Sequence, residues 1–589
     1  YEYYLTGELK KMTMPNNADY QYEYDYLGNL KKQINPRGKA TEYIVNGMGK
    51  TLVEIDAGGN KTYYTYDAAG NLTAVKNARG YVTRYEYDYL NRLVKVIDAL
   101  GKEINYEYDT IGNKTAETDP LGHRTEYRYD TFGRLVQVID ARGNSTVYGY
   151  DNNGNRTSVT NARGEITYYS YDARNRLVKV ILPDNTVTRY EYDSAGNLKK
   201  KIYADETYTV HEHDGLGRLT KTTDPLGYTQ EFKYDGNNNL VWKKDKKGNE
   251  FTYEYNALNL LIKIKKDGVE LAGYNYDLMG NRTYMKAGGI EYIYTYDDMN
   301  RLLMEKNSTD NKTITYSYDA VGNRSSVYDQ QGNTLTYSYD ELNRLVAVSD
   351  ANGTLATYVY NDDGTRRKLT YNRIGYYTVY GYDANHNLLN LTNYTNSGSI
   401  LSSYEYTYDP LNRLETKTDS RGTTIYTYNS IGQLVEVKEP GKHTVFTYDS
   451  VGNRTGMNIN GVQTVYNYDD NNRLLSVIEN GVVTASYSYD ANGNMTGKTD
   501  AQGIWTYEYD LFNQLKRVTG PNALDVEFTY DGDGRRVKKT VNGVVTKFLY
   551  DGERPIYELN GSNSVINSNI YGINLICRKD NSGAAAYYF

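Results

Sequence analysis

The stretch Gly80-Tyr-Val-Thr-Arg-Tyr-Glu-Tyr-Asp-Tyr-Leu-Asn-Arg-Leu-Val-Lys-Val-Ile-Asp98 decides the fold. Thr83, Tyr85 and Tyr87 alternate with Arg84, Glu86 and Asp88, the period of two of a strand with one apolar and one polar face. Tyr, Thr and Val suit a pleated sheet. Asp88-Tyr-Leu-Asn91 predicts a turn, closed by the carboxylate accepting backbone N–H bonds two residues on. Most copies of the phrase have Gly where Asn91 stands, which supplies positive φ at little steric cost, and Asn or Arg follows it. Leu93 to Asp98 predicts a second strand. A second turn then leads into the next copy. It is of the Asp-Pro-Leu-Gly type (Asp119 to Gly122, Asp224 to Gly227) or the Asp-Ala-x-Gly type (Asp140 to Gly143).

Repeats decide architecture. The Asp of the phrase falls at Asp67, Asp88, Asp109, Asp130, Asp151, Asp172 and Asp193, every step being 21 residues. The series continues through Asp214, Asp235, Asn256 and Asp277. It then drifts by a residue either way through Asp297, Asp319, Asp340, Asn361 and Asp383. An insertion from Asn390 to Ser399 lengthens one step to Asp409. Register resumes at Asn429, Asp449, Asp469, Asp490, Asp510, Asp531 and Asp551. At the front Asp25 is in phase, Tyr4 stands where an earlier Asp would be, and Asn46 marks a worn copy. A lone hairpin is unstable in water, so neighbours must pair. The expected fold class is therefore all-β: tandem hairpins forming one long antiparallel sheet. Gly or Pro every ten or so residues argues against helix, and three of the nine Pro (Pro120, Pro225 and Pro410) stand in Asp-Pro turns.

Composition agrees. The 589 residues hold 69 Tyr against 8 Phe and 2 Trp. A ring with a hydroxyl suits a wall that packs on one side and is wetted at its edge. Mean hydropathy is -0.75, as a thin sheet with much exposed area requires. Formal charge is -7 and the cations are dispersed, so alternating strand faces explain the Tyr and Lys/Arg pattern better than a stacking surface for nucleic acid does. Cys577 is the single cysteine, which excludes an internal disulfide. No apolar run is long enough for a membrane-spanning helix.

The sequence shows no catalytic or cofactor-binding motif. Five histidines are present: His123, His211, His213, His386 and His443. His211-Glu-His213 occupies the place of Tyr-x-Tyr, and alternation points both rings to one face. They are the candidate metal pair, with Asp205 and Glu206 able to approach from the adjacent strand. The plainer reading is one semi-polar ring replacing another. Asp531-Gly-Asp-Gly534 and Asn361-Asp-Asp-Gly364 resemble calcium loops in letters, but both fall in the phase of the repeat turn and lack the spaced ligands and late Glu. No phosphate loop or nucleophile elbow appears. The residues expected to build turn and strand are Tyr85, Tyr87, Asp88, Tyr127, Tyr129, Asp130, Gly133 and Leu135.

The phrase in Tyr127-Arg-Tyr-Asp-Thr-Phe-Gly-Arg-Leu135 and Tyr85-Glu-Tyr-Asp-Tyr-Leu-Asn-Arg-Leu93 resembles the YD repeat, also called the RHS repeat. The resemblance covers residues 1 to about 560 and is specific because more than twenty copies stay in phase. It implies a sheet that spirals into a hollow cocoon, as in bacterial Rhs and wall-associated polymorphic toxins, the shell of ABC toxin complexes, and teneurins. On this reading residues 1–560 are the shell, about 27 hairpins of about 21 residues. Residues 561–589 begin the RHS-associated core segment, from the likeness of Tyr571-Gly-Ile-Asn-Leu-Ile-Cys-Arg-Lys-Asp-Asn-Ser-Gly583. The carboxylates linked to self-cleavage in relatives, and the toxic domain, are expected beyond Phe589.

The function this implies is a non-enzymatic scaffold of a secreted or cell-surface bacterial protein, enclosing a C-terminal toxin cargo of the same polypeptide. Cell-wall or delivery-system components and an immunity protein for the cargo are the further partners implied, and a monomer is expected. The alternative is a cell-surface adhesion or carbohydrate-binding scaffold, in which exposed Tyr stacks on sugars.

Overall fold

The computed structural model describes residues 1–329 and 332–588; Phe589 lies outside the described residues. Among the described residues there are 57 strands and no helix. Each strand pairs antiparallel with the next in sequence. Val82–Tyr87 pairs with Leu93–Ile97, which pairs with Glu103–Tyr108, and the meander runs from Glu2–Tyr3 to Ala585–Tyr587. The sheet is not closed into a barrel.

The turns form as their letters require. Leu90 N and Arg92 N donate to Asp88 Oδ1 at 2.9 and 3.0 Å. Gly133 sits at φ +75° and Asn91 at +60°, the left-handed conformation that favours these two residue types. The insertion after Asn390 makes a longer hairpin, Leu388–Tyr394 against Ile400–Tyr408, with Tyr377 and Tyr394 stacked at 4.8 Å. Past residue 560 the pairing runs on without a break through Val565–Tyr571 and Leu575–Asp580.

A register shift recurs in the repeat hairpins, just ahead of the Tyr that precedes the Asp: Glu107/Tyr108, Arg128/Tyr129, Gly149/Tyr150. Such a bulge bends its strand and increases the local right-handed twist. Repeated at one height in hairpin after hairpin, it rolls the ribbon instead of leaving it flat.

The roll is visible in contacts between distant repeats. Asn16 reaches Leu278 across 262 residues, Arg79 reaches Asp340 across 261, and Arg142 reaches Asp409 across 267. One revolution (a coil) therefore uses about twelve repeats. At about 4.8 Å per strand its circumference is roughly 120 Å and its diameter roughly 38 Å, so a single-layer wall leaves a lumen. Toward the C-terminus the revolution shortens. Tyr557 meets Asn333 across 224 residues and Tyr358 meets Ile573 across 215. The third coil is tighter than the first.

The apolar core lies where the third coil meets the second. Met285, Ile290, Tyr292 and Tyr294 gather with Val537; Ile314, Tyr316 and Val327 with Leu549, Tyr557 and Leu559; Val348, Leu355 and Tyr358 with Ile570, Ile576 and Cys577.

Candidate functional site

The ribbon has two edges. One carries the Tyr-Asp turns and the other the Asp-Pro-Leu-Gly and Asn-Ala-Arg-Gly turns. The seam between the first and second coils, where opposite edges meet, is the candidate functional site.

On the Tyr-Asp edge each repeat clasps its neighbour. Arg92 Nε donates to Asp88 Oδ2 at 2.7 Å, and its Nη1 crosses to the Asp109 carbonyl of the next repeat at 2.7 Å. The guanidinium lies 4.9 Å over the Tyr108 ring, and Tyr108 Oη donates back to the Leu93 carbonyl at 2.8 Å. Arg134, Asp130, Asp151, Tyr150 and Leu135 repeat this arrangement, and Tyr129 Oη donates to the Lys114 carbonyl at 3.0 Å. This bond gives the Tyr directly before the Asp a use that Phe lacks: a Phe ring there would leave a strand carbonyl without its donor. Tyr85, Tyr87 and Tyr127 are half-buried in the same strands. In Asp67 the Asn71 side-chain amide, then its backbone N–H, hold the carboxyl below its ordinary value. In Asp172 the Arg176 guanidinium and then its backbone N–H lower it to about 2.

Across the seam the first coil sends cations into the Tyr-Asp turns of the second. Arg79 Nη2 and Nη1 donate to the Tyr339 and Asp340 carbonyls at 2.7 and 2.8 Å, and Nη1 also reaches Asn343 Oδ1 at 3.0 Å. Arg142 makes the same set with Tyr408, Asp409 and Asn412. Arg37 pairs with Asp277, Lys39 with Asp298 at 2.9 Å, Lys102 with Asp362 at 2.8 Å and Lys247 with Asp490 at 3.1 Å. Sequence reasoning missed these residues. Their signal is the third position of the second turn, occupied by Arg37, Arg79, Arg142, Arg163 and Lys247, or the place directly after its glycine, occupied by Lys39 and Lys102, but the partner one revolution away carries no local mark.

At one step of the seam histidines replace the cation. Asp119 and His123 of the first coil meet Asp363 and His386 of the second. His123 Nδ1 lies 2.9 Å from Asp119 Oδ2, and His386 Nε2 lies 3.5 Å from Asp119 Oδ2 and 3.4 Å from Asp363 Oδ2. The sequence candidates His211 and His213 share a strand end, Tyr208–His213. His211 Nδ1 is 3.3 Å from Thr222 Oγ1, and burial, then His213, lower its pKa. Glu206 turns to Arg189, and Asp205 Oδ1 accepts from Thr207 at 3.0 Å. The structure thus brings neither acid to the pair.

These features define a wound β-ribbon shell whose coils are joined edge to edge. The chain belongs to the teneurin YD-shell family, which matches residues 120–252 and 402–572, more than half its length. RHS repeats match at 49–80, 66–103 and 318–355. No curated protein matches. Among solved structures, the chain is similar to TcdB2-TccC3 without its hypervariable C-terminal region: 12% identity, TM-score 0.70, covering 98% of this chain and 43% of that one. TcdB2-TccC3 itself matches at 14% identity and TM-score 0.63, covering 99% and 42%. The Tc holotoxin pore of Photorhabdus luminescens matches at 15% and TM-score 0.50, covering 94% and 32%. The chain thus spans less than half the length of these relatives, and they share its spiral fold.

Proposed function

We propose that this chain is the encapsulating wall of a secreted bacterial toxin, its cargo a C-terminal domain of the same polypeptide. The observation that carries the reading is the seam. It joins coils by their edges through cations set into repeat turns, so the wall gains height while its lumen stays open. Shared fold with TcdB2-TccC3, and membership of a shell family, support it. The wall itself acts as a scaffold, residues 1–560 forming the shell and 561–589 the start of a core segment. Secretion, delivery-system or cell-wall partners, an immunity protein and a monomeric state follow from the same reading.

The test is protease protection. A small reporter fused after residue 589 should survive digestion that destroys the free reporter, and single-particle images should show a hollow shell. A reporter digested at the free rate, on a chain imaged as an open ribbon, would remove the proposal.

A second reading, adhesion or carbohydrate binding, draws on the rings at the turn tips of the first coil. Tyr26, Tyr89 and Phe132 are 94%, 89% and 82% exposed. Glycan binding that is lost on changing these three to Ser would favour it.

A further inference from the structure

The cluster Asp119, His123, Asp363 and His386 stands out because it breaks the rule of the seam. On either side of it Lys102 pairs with Asp362, and Arg142 with Asp383. Lys102 and His123 hold the same place, directly after the second-turn glycine, in Asp98-Ala-Leu-Gly-Lys102 and Asp119-Pro-Leu-Gly-His123. Where the Lys would supply a fixed positive charge, the imidazole supplies a lone pair. Across the seam His386 takes the left-handed position, φ +64°, that Asn343 and Asn412 hold in other turns. Side chains there face the coil before: Asn343 and Asn412 receive Arg79 and Arg142.

The structure assigns these four residues as a binding site for one divalent transition-metal ion of the zinc class, stapling the first coil to the second. Each offers one ligand atom, and the four atoms lie within 4.8 Å of one another. Ligands held about 2.05 Å from a tetrahedral ion stand about 3.3 Å apart. Three separations in the cluster are 2.9, 3.5 and 3.4 Å. Two imidazoles and two carboxylates are a donor set that zinc accepts, and two carboxylates balance its charge.

The outer contacts are those of a ligand set. Asp119 Oδ1 accepts from Leu121 N and His123 N at 2.8 and 2.9 Å, which leaves Oδ2 aimed at the cluster. Asp363 Oδ1 accepts from Thr365 N and Oγ1 at 2.9 and 2.6 Å, and its side chain is only 2% exposed. Fixed outer oxygens of this kind orient metal ligands. Calcium is disfavoured, since it takes six to eight oxygens.

The test uses the purified chain after chelator treatment. Zn2+ titration should show one tight equivalent, and Co2+ at that site should give the visible absorption of a four-coordinate ion. Changing His123→Asn and His386→Asn together should weaken binding by at least about 100-fold. Both changes restore residues used elsewhere in the repeat, as at Asn144 and Asn412, so the fold is kept. His211→Tyr with His213→Tyr should leave binding intact. Zn2+ should also slow hydrogen exchange in the turns at 119–123, 361–365 and 383–387. No stoichiometric binding, or binding lost with the 211/213 change and not with the 123/386 change, would overturn the assignment.

Discussion

The two seams of this spiral are built differently. Between the first and second coils the contact is edge to edge and polar, and water still reaches it: Arg79 is 17% and Asp319 23% exposed in their ion pair. Between the second and third coils the contact is buried. Arg535 is 6% exposed, held between Glu305 at 7% and Asp531 at 0% and lying 5.1 Å over the Tyr292 ring, and Tyr316, Leu559 and Ile576 are buried farther along the same seam. Burial raises the Glu305 pKa while Arg535 opposes the shift. One repeat phrase thus yields two kinds of joint. An edge joint adds height and keeps a lumen. A buried joint uses the tighter third coil to form a core, and so places most of the apolar stabilisation at one end of the shell.

Charge removal distinguishes the two seams. Arg535→Ala leaves two buried carboxylates unpaired and should cost about 3–5 kcal/mol. Arg79→Ala at the open seam should cost no more than about 1 kcal/mol, and should matter less still in high salt. Equal shifts in thermal unfolding for the two would mean that the joints do not differ. Next in size, Gly133→Val forces a β-branched residue to φ +75° and should cost about 1–3 kcal/mol wherever its repeat lies, whereas Lys95→Ala, in an ion pair with Glu103, should change little.

Acid sharpens the contrast. The Asp172 carboxyl is lowered in the fold from an ordinary 3.8 to about 2, chiefly by Arg176. A carboxyl depressed on folding stabilises fully above its unfolded value, and the contribution is lost as pH falls through the folded one. Asp67, Asp109, Asp151 and Asp193 shift the same way, each first through its Asn partner. Between about pH 4 and 2 the first coil should therefore loosen before the apolar end, as hydrogen exchange in residues 1–250 against 530–580 would reveal. Tyr129→Phe should cost about 1 kcal/mol, from one lost bond to the Lys114 carbonyl. A change near zero would show that the ring alone carries that clasp.

Much of this was legible in single repeats. Asp88, Asn91 and Arg92 close a turn with bonds no longer than four residues, and Tyr108 reaches a carbonyl only fifteen residues back. The all-β class, hairpin boundaries and turn glycines follow from such local chemistry. The His pair at 211 and 213 was also readable, because alternation along one strand suffices. The cluster of His123 with His386 was not, although both sit in identifiable turns.

Strand, turn and repeat register thus came from the amino-acid sequence, through groups within one repeat, whereas the bulge and the clasp between neighbouring repeats, though also local, emerged only in the structure. The tertiary structure alone decided which repeats face one another across a coil, that the revolution tightens from 262 residues to 215, and that the core forms at the C-terminal end. The physical reason is accumulation. Each hairpin adds a small rotation, and only the sum of about a dozen sets the partner on the next coil.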